Sequence, residues 1–243
     1  MYLLNKIVFL PKGLIVMATV KKSTAKKTTK KKIPNRQDII TAYMEYVLEH
    51  EKEPKSVYKF AKENKMEEQE FYAHFGSIEG LRKEIWNTFF TMTMDVAHKN
   101  EDYAHFSNRE KMLTFFYTFF ELLTMNRSYV LFTLHGKQSM MNKMDELKGL
   151  RKHVKDFART LIQERNESKT NILLERSESI YSEGAWIQML FLLKFWMDDD
   201  SPGFEKTDMA IEKSVNTIFD VFDNTPLDAV LDFGKFLWKE RMA

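Results

Sequence analysis

From Arg36 onward the apolar residues of this chain recur at three- and four-residue steps, the spacing of one face of a helix. Ile39, Ile40, Tyr43, Val47 and Leu48 form a single stripe and predict a first helix beginning at Arg36. The polar break HEKEPKS follows, with Pro54 just before a new start and Ser56 placed as an N-cap. Val57, Phe60 and Ala61 then face inward while Lys59 and Lys62 face out. A short turn at Lys65 leads through Met66 to a second short helix carrying Phe71, Tyr72 and Phe75. Ser77, followed by Glu79, opens a long helix with a cap and an acid in the first turn, where the helix dipole favours it. Leu81, Ile85, Phe89, Met92 and Val96 continue that helix on one face.

The rest of the pattern is helical too. Residues 111–123 are apolar nearly all round, as in a helix buried within a bundle, and 127–142 are short and mixed. Leu147, Leu150, Val154, Phe157 and Leu161 form another stripe. Residues 185–197 are interrupted only by Gln188 and Lys194 and end at DDDSPG. Ile211, Val215, Ile218, Phe219 and Phe222 mark an amphipathic helix, and Val230 to Trp238 a last one. With eight Gly and five Pro, few turns punctuate the chain, and no strand-period run or repeat is visible. The fold class expected is all-α.

Composition narrows the chemistry. No cysteine occurs, which removes disulfides, thiolate nucleophiles and Cys-type metal sites and favours a cytoplasmic protein. The six histidines show no paired ligand spacing, there is no Gly-rich phosphate loop, and Asp198 to Asp200 read as a solvated loop after a helix. No cofactor, metal site or enzymatic activity is expected. The N-terminal apolar stretch is broken at Pro11 to Gly13, short of the roughly 20 residues a membrane span needs. Translation is expected to begin at Met17. Residues 21–32 hold seven lysines and no acid, and read either as a solubility tail or as an arm along nucleic-acid phosphates.

Helix, short turn, helix, with Val57, Phe60, Ala61, Met66, Phe71 and Phe75 inward, is a helix-turn-helix arrangement. Phe60-Ala61, the run Phe71-Tyr72-Ala73-His74-Phe75, and then Ser77, Glu79 and Leu81 carry a closer likeness. Over residues 36–86 the chain resembles the TetR family of bacterial transcriptional regulators. The resemblance implies an extension over 1–32, a three-helix DNA-binding domain over 33–78, and a helical bundle over 79–243 for effector binding and dimerisation. It places Lys55, Ser56, Lys59, Lys65, Glu68, Gln69, Tyr72 and His74 at the DNA interface. Ser56 would contact a phosphate, and Tyr72 and His74 would touch the backbone or brace the motif. Lys65 stands where the family usually has Gly, which is tolerable if the residue takes an ordinary backbone conformation. Ile78 stands where it usually has Lys. Glu67, Glu68 and Glu70 crowd the start of the recognition helix, good for folding and unfavourable toward phosphates. From Arg36 to Trp86 there are eight basic residues against eleven acids, a net charge of −3 where a DNA-binding domain is normally basic.

Phe116, Phe120, Phe132, His135, Met140, Phe157, Trp186 and Met189 are candidates to line an apolar ligand pocket, or simply core. Residues 180–197 and 207–223 are the expected dimer surface, since the first is too apolar to face water. The reading implied is a homodimeric repressor, which holds a palindromic double-stranded operator and is released by an apolar effector. In the alternative, the fold has given up DNA and binds a lipid or isoprenoid, similar to accessory proteins of ubiquinone biosynthesis. A heterodimer with a related chain would let a partner supply a more basic reader.

Overall fold

The computed structural model describes residues 33–135, 144–167 and 178–224, with side chains through 164 and 221 in the last two segments. Among them every regular element is helical. The helix expected over 230–238, and Met140, lie outside the described residues. In chain order the helices are α1 (Arg36–His50), α2 (Val57–Glu63), α3 (Glu68–Tyr72), α4 (Ile78–Ala97), α5 (Asn108–Met125), α6 (Arg127–His135), α7 (Lys148–Glu167), α8 (Glu178–Asp198) and α9 (Glu205–Asn224). Short 3-10 turns span Glu101–His105 and Pro202–Phe204. They form two compact units. One comprises the chain to Val96 and Glu121–Leu150; the other comprises Ala97–Phe120 and the chain from Arg151.

The first unit is built on α1 to α4 and α6. Asn35 and Asp38 make a capping box that starts α1 where the apolar stripe begins. Ile39, Ile40, Tyr43 and Val47 are buried, and Leu48 is half-buried. Phe60 is the centre of this core. Its ring meets Tyr43 at 6.0 Å, Tyr46 at 5.9 Å and Phe71 at 5.9 Å, all edge-to-face, the arrangement the aromatic quadrupole favours. Ala61 is buried beside it. Ser77 Oγ accepts from the Gly80 amide at 3.0 Å and so starts α4.

The second unit packs α7, α8, α9 and the first part of α5 on a phenylalanine-rich core. Phe115, Phe116, Phe119 and Phe120 are buried; Phe115 meets Phe157 at 5.1 Å and Phe120 meets Trp196 at 6.2 Å. Asp199 organises the corner between α8 and α9. One carboxylate oxygen accepts from the Ser201 amide and hydroxyl at 2.9 and 2.6 Å. The other accepts from the Thr207 amide and hydroxyl at 2.9 and 2.6 Å. Burial works against ionisation, but these four bonds outweigh it and leave the carboxyl at about 2. DDDSPG is therefore not merely a solvated loop: its middle acid is a buried cap.

Candidate nucleic-acid interface

Three local devices set the shape of the α2–α3 hairpin. Ser56 caps α2, its hydroxyl accepting from the Lys59 amide at 3.3 Å. The turn after α2 is a Schellman motif: Met66 N–H donates to the Ala61 carbonyl at 2.9 Å, and Lys65 N–H to Lys62 at 3.3 Å. That motif demands a left-handed residue, and Lys65 supplies it with φ 56°. The condition on which Lys65 would be an easy replacement, an ordinary backbone, is not met: the position keeps a glycine geometry with a lysine in it. Finally, α3 opens with a capping box. Glu70 reaches back to accept from the Glu67 amide at 2.7 Å, so its carboxylate is engaged at the helix's own start.

Arg36 ties the hairpin to its supports. It donates to the His74 carbonyl at 3.3 Å, pairs with Glu84 at 2.8 Å and lies 4.8 Å from the centre of the Phe75 ring. Ile78 is buried, which gives this departure a packing role.

The expected interface residues fall on one hairpin. Lys55, Ser56, Lys59, Lys65, Gln69 and Tyr72 are exposed, whereas Glu68 and His74 are half-buried. The sequence reading left Tyr58 out of the interface, although it is 57% exposed. Lys62 lies 5.7 Å from its ring centre, one turn further along α2. Their four-residue separation, on the side of α2 away from Phe60 and Ala61, was the signal available.

The same unit also holds an ionic cluster with a buried pair at its centre. Arg82 Nε is 3.0 Å from the Glu146 carboxylate, with side chains 11% and 7% exposed, and Arg82 also pairs with Glu53. Burial pushes the Tyr43 hydroxyl up, and Glu53 adds to the effect.

Of the expected pocket residues, Phe116, Phe120, Trp186 and Met189 are buried in the second unit and Phe157 is half-buried there. Phe132 is half-buried and His135 exposed in the first unit. An apolar groove of about 870 Å³ runs along α8 and α9, lined by other residues, among them Ile187, Phe191, Phe195, Met209 and Ile218. Ile187 is 65% and Phe191 53% exposed. Inside the groove Gln188 donates to Ser214 Oγ at 2.9 Å, joining the two helices. A smaller cavity of about 190 Å³ lies in the first unit, where Met44 and Leu48 of α1 face residues 124–129. Among the described residues no cluster of His, Asp or Glu could hold a metal ion, and no helix is long and apolar enough to cross a membrane.

A capped α2–α3 hairpin within a chain whose described elements are all helical defines an all-α protein with a helix-turn-helix frame. A family model described as the tetracyclin repressor-like C-terminal domain matches residues 111–237, more than half of the chain, which therefore belongs to the TetR family of transcriptional regulators. Members of that family are typically not enzymes. No curated protein and no solved structure matches the chain.

Proposed function

We propose that the protein is a homodimeric transcriptional repressor that holds operator DNA with α2 and α3 and is released by an apolar effector. One observation carries the reading: on the α2–α3 hairpin Lys55, Lys59, Lys62, Lys65, Gln69 and Tyr72 are all exposed, while Glu70 is engaged in its own helix cap. The lysines supply the phosphate attraction that the net acidic count of this region denies, and the lysines of residues 21–32 add to it. The α8–α9 groove suits a second copy of the chain, because it leaves Ile187 and Phe191 open to solvent, and a twofold pair of hairpins would meet a palindromic site. Selection from random duplex DNA with the full chain, at near-physiological salt, tests the proposal. A palindromic motif is the expected result; binding without sequence preference that vanishes as salt rises would falsify it.

A second reading has one observation in its favour. The groove is lined chiefly by apolar side chains with Lys213 among them, which also suits an acyl or isoprenoid chain with an anionic head near Lys213; Lys206, at its edge, is paired with Asp200 at 3.0 Å. A copurified lipid seen by native mass spectrometry, together with no enriched DNA motif, would support it over the repressor.

A further inference from the structure

The short helix α3 has one clear anchor. Phe71 is fully buried, with its ring 5.9 Å from Phe60 and 5.8 Å from Phe75. That anchor fixes which way every other side chain of α3 points. At about 100° per residue, Gln69 and Ala73 each lie about 160° from Phe71, on the outer crest of the helix. Both are exposed. Tyr72, 51% exposed, flanks the crest on one side.

The acids hold other places. Glu70, on the opposite flank, is bent back to the Glu67 amide at 2.7 Å. Glu68 lies about 60° from Phe71, on the inward half of the helix, and is half-buried. Glu67 precedes the first helical residue as its N-cap. The acidic run EEQE therefore presents a glutamine at its crest, and Gln69 is the one hydrogen-bonding side chain there.

A carboxamide offers a carbonyl acceptor beside an N–H donor. Adenine's major-groove edge offers the complement, an N6 donor beside the N7 acceptor, whereas guanine presents two acceptors and would leave the amide carbonyl facing one of them. Ala73, one turn further along the crest, offers only a methyl group. That suits close approach to a thymine methyl and makes no polar demand.

We infer that Gln69 reads an adenine and Ala73 packs on a thymine methyl, so that each operator half-site carries A·T pairs where it meets the crest of α3. This inference rests on the DNA-binding reading above. It also assigns Glu67, Glu68 and Glu70 to folding α3, with no part in reading bases.

The test is selection from random duplexes by the full chain in four forms: unaltered, Gln69→Ala, Gln69→Arg and Glu70→Gln, each checked by thermal melting. The unaltered chain is expected to prefer adenine at one position per half-site by about tenfold or more. Gln69→Ala should flatten that one position and leave the others unchanged. Gln69→Arg should move the preference to guanine, whose two acceptors match a guanidinium. Glu70→Gln, which keeps a capping group, should leave the motif intact. A motif that Gln69→Ala does not alter would overturn the base assignment while DNA reading stands. So would a change of base preference in Glu70→Gln. The absence of any motif from the unaltered chain would overturn both readings together.

Discussion

Lys65 shows how a single backbone angle can outweigh residue identity. A β-carbon at φ 56° is strained against the neighbouring carbonyl, yet the turn needs that conformation to close the Met66 and Lys65 hydrogen bonds. Lys65→Gly should raise stability by about 1 kcal/mol, read as a higher urea midpoint at unchanged slope. If Lys65 also meets a phosphate, the same variant should weaken DNA binding evenly across sequences and lower its salt slope by about one. Asp199 is the second decisive residue. Asp199→Ala removes a buried carboxylate with four donors around it and should cost about 2–3 kcal/mol. Its folded pKa is depressed to about 2 from an ordinary 3.8, so its stabilisation is present above pH 3.8 and lost as pH falls toward 2. The gap between the urea midpoints of wild type and variant should therefore stay constant from neutral pH to about 5 and narrow in that acid window.

Among the elements, α4 shows packing that neither of its neighbours' sequences reveals. Gly149, in the first turn of α7, lies so close to Asn87 that an added β-carbon would sit 2.2 Å from the Asn87 carboxamide oxygen. Asn87 also donates to Glu84 at 3.0 Å. Gly149→Ala should cost about 1–2 kcal/mol in the native background. In an Asn87→Ala background the same change should instead stabilise by about 0.5–1 kcal/mol, because alanine is the better helix residue once the clash is gone. Urea unfolding of the four proteins of this cycle reads the sign reversal directly. Arg82, also on α4, tests the ionic cluster. Arg82→Ala leaves Glu146 buried beside a vanished partner and should cost about 3–5 kcal/mol by the same measurement.

At the scale of the whole molecule the question is what covers α8. Ile187 and Phe191 lie four residues apart on its exposed face, in a groove shared with α9. Phe191→Glu should halve the mass measured by light scattering and cost the palindromic symmetry of the selected DNA. The melting temperature should fall to a value independent of protein concentration, because the stabilisation that a bound second copy lends the folded chain is lost. A variant that keeps the mass of the native protein would remove the α8–α9 groove as the dimer surface.

Periodicity carried most of the helical architecture, since a stripe at three- and four-residue steps can bury only one face and so announces a helix before any contact is known. The stripes of α1, α4, α7 and α9 and the caps at Ser56 and Ser77 were legible for that reason, as was the helix-turn-helix frame around Phe60, Ala61 and Phe71. Periodicity fails where a helix is apolar all round. Nothing in residues 185–197 says that Trp186 and Met189 are buried while Ile187 and Phe191 are open, because the pattern has no polar side to orient it. It fails equally for groups whose partners are set by backbone geometry. Three glutamates at the start of α3 read as one block of repulsion, but folding gives Glu70 to the Glu67 amide, half-buries Glu68 and leaves Gln69 at the crest. The sequence by itself determined which segments coil but not all of their ends: the runs 111–123 and 185–197 extend to Asn108–Met125 and Glu178–Asp198. Only the tertiary structure decided which face of each helix is left for a partner, because that choice depends on what the neighbouring helices have already covered.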